Sequence, residues 1–357
     1  MADTMCGLVK EAAGPGMFVF HEDLPIPEPG DDEVLVKVHT AALCGTDLHI
    51  IEWDPWTKNW AKKVPFVPGH EVGGEIVAVG KNVTERKPGD RVSCESHVAC
   101  GTCYPCTHGL PNVCQNMELL GVGMNGAFAE YFTVRWDVTY VLDDAIDYDT
   151  ACLFEPMGAG VHGVEKAEVS GKNVLISGAG PIGLTAVAAA KTFGAKQVIC
   201  CDLIDDKLAI AKKMGADTTV NSGEEDLREI VMDHTDGIGV DAAIDVTSAG
   251  PAIQLDIKLL RAGGRFVGVG LPTKPVEMDL ANDVFYREIE VTGISGRLIW
   301  RTWDDFSKVM KGPYFKVEEV TGKRFRMRDI DKAVQAVKDG VPGKMFLYPD
   351  SMFPVDA

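Results

Sequence analysis

The pattern of apolar and polar positions changes character near residue 150. Before that point the apolar runs are short, β-branched and separated by Gly, Pro and Asp. Glu33–Ala42, Gly73–Val79 and Phe128–Val134 read as strands, and no sustained helical periodicity appears. Thr150–Val164 is apolar enough to be a buried helix.

From Lys172 onward strands and helices alternate. Asn173–Ser177, Gln197–Cys201, Val240–Val246, Arg265–Val269 and Glu290–Thr292 read as strands. Pro181–Phe193, Asp205–Met214 and Pro251–Leu260 read as helices. This alternation implies βαβ units and a parallel sheet. Trp303–Lys311 and Arg328–Asp339 then read as helices, and Lys344–Tyr348 as a closing strand. The texture places domain boundaries near 158 and 298 in an α/β chain.

Composition narrows the class. A chain of 357 residues exceeds what one hydrophobic core usually organises. At 46% hydrophobic residues it has the make-up of a globular enzyme, and no apolar run approaches the roughly 18 to 20 residues that span a bilayer. Met1–Lys10 lacks the basic-then-apolar layout of a signal peptide, so the cytoplasm is expected and no membrane partner is. A formal charge of −18 argues against a nucleic-acid partner, because phosphate binding wants a basic surface.

Gly178-Ala-Gly180-Pro181-Ile182-Gly183 matches G-x-G-x-x-G between a strand and a helix, with Asp202 closing the next strand. Gly178 makes the tight turn, Gly180 admits a pyrophosphate, and Gly183 lets helix and strand pack closely. The helix beginning at Pro181 offers free N–H groups to the phosphates. Asp202 suits the ribose hydroxyls and repels a 2′-phosphate, which favours NAD over NADP. Lys207, one turn into the next helix, is a second candidate for the ribose, or else a solvated lysine.

Ten cysteines in a reducing compartment read as metal ligands or catalytic thiols before disulfides. Cys100, Cys103, Cys106 and Cys114 lie close enough in sequence for one tetrahedral zinc, and a closed four-sulfur shell is structural. A second set is more open. Cys44-Gly-Thr46-Asp-Leu-His49 is followed by His70-Glu71 and later by Glu155. One thiolate, one imidazole and one carboxylate leave a position on zinc for substrate. Thr46 would place a hydroxyl beside the substrate oxygen. His49, reached through the ribose hydroxyls, would exchange the proton with solvent.

With these motifs placed, the chain resembles the medium-chain zinc alcohol dehydrogenase superfamily over essentially its full length. Within it the likeness is greatest to the L-threonine 3-dehydrogenase branch. Trp53-Asp-Pro-Trp56, Glu95-Ser-His97, Phe154-Glu-Pro-Met-Gly158 with Val161-His162, Gly293-Ile-Ser-Gly-Arg297 and Thr302-Trp303 carry that closer likeness. The resemblance implies a β-rich GroES-like catalytic domain over 1–158 and 299–357, with a structural zinc lobe at 95–116. It implies a doubly wound Rossmann domain that binds NAD over 159–298. One catalytic and one structural Zn2+ per subunit follow, the first held by Cys44, His70 and an acid, with Glu71 and Glu155 both candidates.

The resemblance also implies that His97 lies near the metal and influences substrate choice, and that the chain forms a homotetramer. It implies hydride transfer from the β-carbon of L-threonine to NAD, giving 2-amino-3-oxobutanoate. Arg297 suits the carboxylate of such a substrate, since a guanidinium fork matches it bidentately. Two departures stand near the expected specificity region: a longer loop over Trp53–Lys63, and Gly158-Ala-Gly160 in place of bulkier residues. A polyol or diol dehydrogenase, of sorbitol or 2,3-butanediol type, shares the same ligands. A zinc-free NADP reductase or a non-catalytic relative lacks them.

Overall fold

The computed structural model describes residues 4–354. The chain divides into two compact units, 1–156 with 321–357, and 157–320.

The first unit is built on a seven-stranded sheet. Its order is Thr321–Arg326, Lys344–Tyr348, Glu33–Ala42, Glu71–Val79, Arg91–Cys94 and Thr139–Val141, with Tyr131–Arg135 also pairing with Glu33–Ala42. Along Glu33–Ala42 the inward Val34, Val36, Val38 and Thr40 are buried in strict alternation. That period of two puts one face on the core, each aliphatic side chain contributing roughly 1.5–3 kcal/mol. At Thr40–Ala42 both faces are buried, and the chain then delivers Cys44. Ala42 pairs with Glu71 on one side and Phe346 on the other, so the starts of two neighbouring strands meet beside Cys44.

Two short helices, Gly45–Glu52 and Pro55–Trp60, interrupt the part that reads as helix-free. Eight and six residues are too few to show a period. Their signal lies in the caps. Cys44 caps the first with Asp47 at its third position, and Asp54 accepts the Thr57 N–H at 2.8 Å before Pro55 opens the second. Within Trp53–Lys63, Pro55–Trp60 is therefore helix. Thr150–Val164 divides into Tyr148–Cys152 and Phe154–Ala167.

The second unit carries six parallel strands in the order Thr218–Asn221, Gln197–Asp202, Asn173–Ser177, Val240–Asp245, Leu260–Gly268 and Glu290–Gly293. The order reverses between Asn173–Ser177 and Val240–Asp245, the switch point at which doubly wound sheets bind ligands. Thr218–Asn221 and the helix Leu227–His234 were not legible in the pattern. The strand is a four-residue edge strand carrying one aliphatic side chain.

The boundary expected near 298 is corrected. Residues 299–320 belong to the second unit, which runs to Val320. The helix Arg301–Lys311 buries Trp303, Phe306 and Val309 and packs on Pro181–Thr192. Lys213 and Glu319 then pair at 2.5 Å. An amphipathic helix joins the core that covers its apolar face, whatever its place in the chain.

Candidate active site

In the first unit Cys44, His70 and Glu71 converge, with one ligand atom of each within 4.8 Å of the others. Glu155 stands outside this trio, 4% exposed, and its Oε1 accepts the Ser96 hydroxyl at 2.6 Å. Two buried polar groups and a half-buried thiol converging in this way fit a divalent cation that likes sulfur, nitrogen and oxygen together.

Asp47, which the sequence reading does not single out, holds Cys44 and stands beside His70. Its Oδ2 accepts the Cys44 N–H at 2.8 Å, and its Oδ1 lies 4.0 Å from His70 Nδ1. The signal was present as the acid three residues after the Cys44 cap. Lys344 was missed too. Its Nζ lies 2.6 Å from both carboxylate oxygens of Glu71, deep in the unit. Burial works against the Lys344 charge, but Glu71, Cys44 and Glu155 hold it well above the usual lysine range. Burial raises Glu71 as well, with Lys344 opposing. The two directions disagree about the proton. The symmetric 2.6 Å placement is that of an ion pair, and we read it as one.

Thr46 Oγ1 lies 3.6 Å from Cys44 Sγ, so its hydroxyl borders the trio. His49 is partly exposed, and its Nδ1 lies 2.8 Å from Asp54 Oδ2. Although burial opposes it, hydrogen bonds from Thr57 and His49 hold Asp54 below the usual carboxylate range. His97 donates its N–H to Glu95 Oε1 at 3.0 Å.

The four sulfurs of Cys100, Cys103, Cys106 and Cys114 also fall within 4.8 Å of one another, and all ten cysteines are free thiols. Backbone N–H groups of Cys100, Cys103 and Asn116 point at sulfur at 3.3–3.4 Å. Hydrogen bonds, those from Thr102 foremost, pull Cys100 down to about 5. Burial and the neighbouring thiols push Cys106 up to about 12. Four cysteine sulfurs at this spacing form a donor set that fits a tetrahedral zinc ion.

In the second unit a cavity of about 710 Å³ is lined by Gly178, Gly180, Pro181, Ile182, Gly183, Asp202 and Lys207. Gly178 has φ +102°, the left-handed turn that favours glycine. A Cβ on Gly183 would meet the Gly178 carbonyl at 1.9 Å, whereas one on Gly180 would enter open space. Neither a neighbouring atom nor a positive φ requires glycine at 180, and the open space beside it has room for a pyrophosphate. Asp202 accepts the N–H groups of Ala179 at 2.7 Å, Leu203 at 2.8 Å and Ile204 at 3.1 Å. It anchors the glycine turn as well as facing the cavity.

Arg297 is 5% exposed and so is not a surface arginine. A Cβ on Gly158 would meet its Cγ at 2.6 Å, and one on Gly160 would meet the Ile182 carbonyl at 2.6 Å. The glycines of Gly158-Ala-Gly160 thus make room for the Arg297 stem and for the neighbouring helix. Nothing in their surroundings requires a substrate. Among the described residues no helix is long and apolar enough to cross a membrane.

Known proteins resemble the chain throughout. Residues 30–144 match the alcohol dehydrogenase GroES-like domain, and residues 181–312 match the zinc-binding dehydrogenase family. An L-threonine 3-dehydrogenase from Symbiobacterium thermophilum is 39% identical over 98% of this chain and 99% of its own. A zinc-binding dehydrogenase from Sinorhizobium meliloti, solved bound to NADP, superposes with TM-score 0.87 at 27% identity, covering 98% of this chain and 100% of that one. A 2R,3R-butanediol dehydrogenase from Bacillus subtilis superposes with TM-score 0.84 at 27% identity, covering 97% and 100%.

Proposed function

The chain belongs to the zinc-binding dehydrogenases of the medium-chain alcohol dehydrogenase family, and from that premise we propose that it oxidises the secondary alcohol of L-threonine with NAD, giving 2-amino-3-oxobutanoate. The observation that carries the zinc-dependent oxidation is the convergence of Cys44, His70 and Glu71 within 4.8 Å, and the 39% identity to an L-threonine 3-dehydrogenase supports the choice of substrate. Those three would hold the catalytic zinc, with Glu155 a second carboxylate able to exchange. Cys100, Cys103, Cys106 and Cys114 would hold a structural zinc, making two per subunit. A zinc ion in the first site supplies a Lewis acid that lowers the pKa of an alcohol hydroxyl.

The chain's own residues do the remaining work. Asp47 fixes Cys44 through its N–H. Lys344 neutralises Glu71 and limits the anionic charge gathered at the site. The Thr46 hydroxyl, beside Cys44, can take the proton of the substrate hydroxyl only as it releases its own, and His49, partly exposed and held by Asp54, is the group suited to hand a proton to solvent. His97 contributes to substrate choice. Arg297 supplies the guanidinium fork that a substrate carboxylate calls for. By family likeness the assembly is a homotetramer, and the place of work is the cytoplasm.

A second reading, a diol dehydrogenase, is favoured by the butanediol dehydrogenase neighbour. Steady-state kinetics with L-threonine, sorbitol and 2,3-butanediol separates the two. L-threonine is expected to have the highest kcat/KM, and its ranking last would defeat the threonine reading.

The cofactor is tested in the same assay. With Asp202 fixed as an anionic acceptor at the cavity wall, NAD is expected to exceed NADP by about a hundredfold in kcat/KM, the scale of a like-charge clash. Asp202→Asn should narrow that ratio. NADP working as well as NAD in the wild-type chain would refute the role of Asp202.

A further inference from the structure

Trp53-Asp54-Pro55-Trp56 follows the helix Gly45–Glu52, which carries Thr46 and His49. Trp53 ends that helix at φ +53° and ψ +48°, a left-handed conformation that a tryptophan rarely adopts, and its N–H donates to the His49 carbonyl. The reversal returns Asp54 to the same histidine. The Asp54 nitrogen lies 3.4 Å from the His49 carbonyl, and its Oδ2 lies 2.8 Å from His49 Nδ1. The turn is also pinned from a distant segment. Lys10, 2% exposed, places Nζ 5.4 Å from the centre of the Trp53 ring and donates to the carbonyls of Gly14 at 2.7 Å and Gly16 at 2.8 Å. The Gly16 N–H in turn reaches the Ile51 carbonyl at 2.9 Å.

A helix cap alone would account for one oxygen of Asp54, since Oδ1 accepts the Thr57 N–H at 2.8 Å ahead of Pro55–Trp60. It does not account for Oδ2, nor for a left-handed tryptophan held in place to bring that oxygen to a histidine. Serine or asparagine would cap equally well. We propose that Asp54 is a positioning residue for proton transfer, fixing the His49 ring so that Nδ1 carries a proton and Nε2 is left to accept one. This rests on the reading of His49 as the group that hands a proton to solvent.

An ionised carboxylate only accepts hydrogen bonds, so the proton in the 2.8 Å contact belongs to Nδ1. The neutral ring then carries its lone pair on Nε2, which makes no hydrogen bond among the described residues. Nε2 takes up the proton leaving the site, and the ring becomes an imidazolium paired with the Asp54 carboxylate. Water then takes that proton from Nε2, the His49 side chain being 43% exposed. Nδ1 keeps its own proton throughout. Asparagine at position 54 still caps Thr57 through its carbonyl oxygen, but its amide donates to Nδ1. The ring proton then moves to Nε2, and the acceptor is lost.

The test is single-turnover NADH formation by the zinc-loaded enzyme, using whichever of L-threonine, sorbitol and 2,3-butanediol it oxidises fastest. Wild type, His49→Gln, Asp54→Asn and Asp54→Ser are compared with and without added imidazole. His49→Gln should slow the reaction by about a hundredfold, the lower end of what a positioned acid–base group contributes, and Asp54→Asn by at least about tenfold. Imidazole should restore most of both losses, because a small base in water replaces an exposed one. Asp54→Ser, which caps without forcing the ring, should fall between Asp54→Asn and wild type. Thermal unfolding of Asp54→Asn should match wild type, since the cap is kept. Asp54→Asn as fast as wild type beside a slow His49→Gln would overturn the inference, as would a loss in Asp54→Asn that imidazole leaves untouched. His49→Gln as fast as wild type would instead remove the reading beneath it, and the inference with it.

Discussion

Cys44→Ala is expected to lower kcat by at least about a thousandfold while the affinity for NAD changes by less than about twofold. The sulfur is one of three convergent ligand atoms, and the other two are a buried imidazole and a buried carboxylate. Losing it leaves two ligands, too few for a stable tetrahedral site with an open position. Lewis-acid stabilisation of developing charge is worth several kcal/mol, and each 1.36 kcal/mol is about tenfold in rate. The dinucleotide cavity is lined entirely by residues of the other unit, so its affinity has no reason to follow. Turnover kinetics, NAD titration and metal content per subunit check the three parts. Metal should fall from about two to about one. Equal loss of turnover and NAD binding would assign Cys44 a folding role instead.

Lys344→Met should destabilise the metal-depleted chain by about 3–5 kcal/mol, the cost of leaving one partner of a buried ion pair alone. Nζ contacts both oxygens of Glu71, which is fully buried, and the Lys344 side chain is 11% exposed. Replacing both partners, Lys344→Met with Glu71→Gln, should recover most of the loss, because no uncompensated charge remains. Lys344→Arg should fall between the two, since it keeps the charge in a larger head group. Denaturant unfolding of all four proteins measures the set. A Lys344→Met variant as stable as wild type would show that the pair contributes nothing to the fold.

Legibility differed between local and distant features. The glycine turn was readable because its tasks are local: Gly178, Gly183 and the helix from Pro181 lie within a few residues of one another. The four-cysteine lobe was readable for the same reason. The short helices after Cys44 were hidden from periodicity, though their caps at Cys44 and Asp54 were written in the chain. The reason for glycine at 158 was not readable, since the residue that needs the space beside it, Arg297, lies far along the chain.

The chain by itself determined the alternation that makes the parallel sheet, the glycine turn after Ser177, the cluster of four cysteines and the kinds of atoms that gather beside Cys44. Those follow from contacts over short spans, where residue type and spacing dictate geometry. Tertiary structure alone decided that Glu71 rather than Glu155 joins Cys44 and His70, that Lys344 sits against that carboxylate, and that residues 299–320 belong with the nucleotide-binding unit. Each of these depends on strand register or on which core covers an apolar face, and such partners are chosen by packing across many residues rather than by their neighbours in sequence.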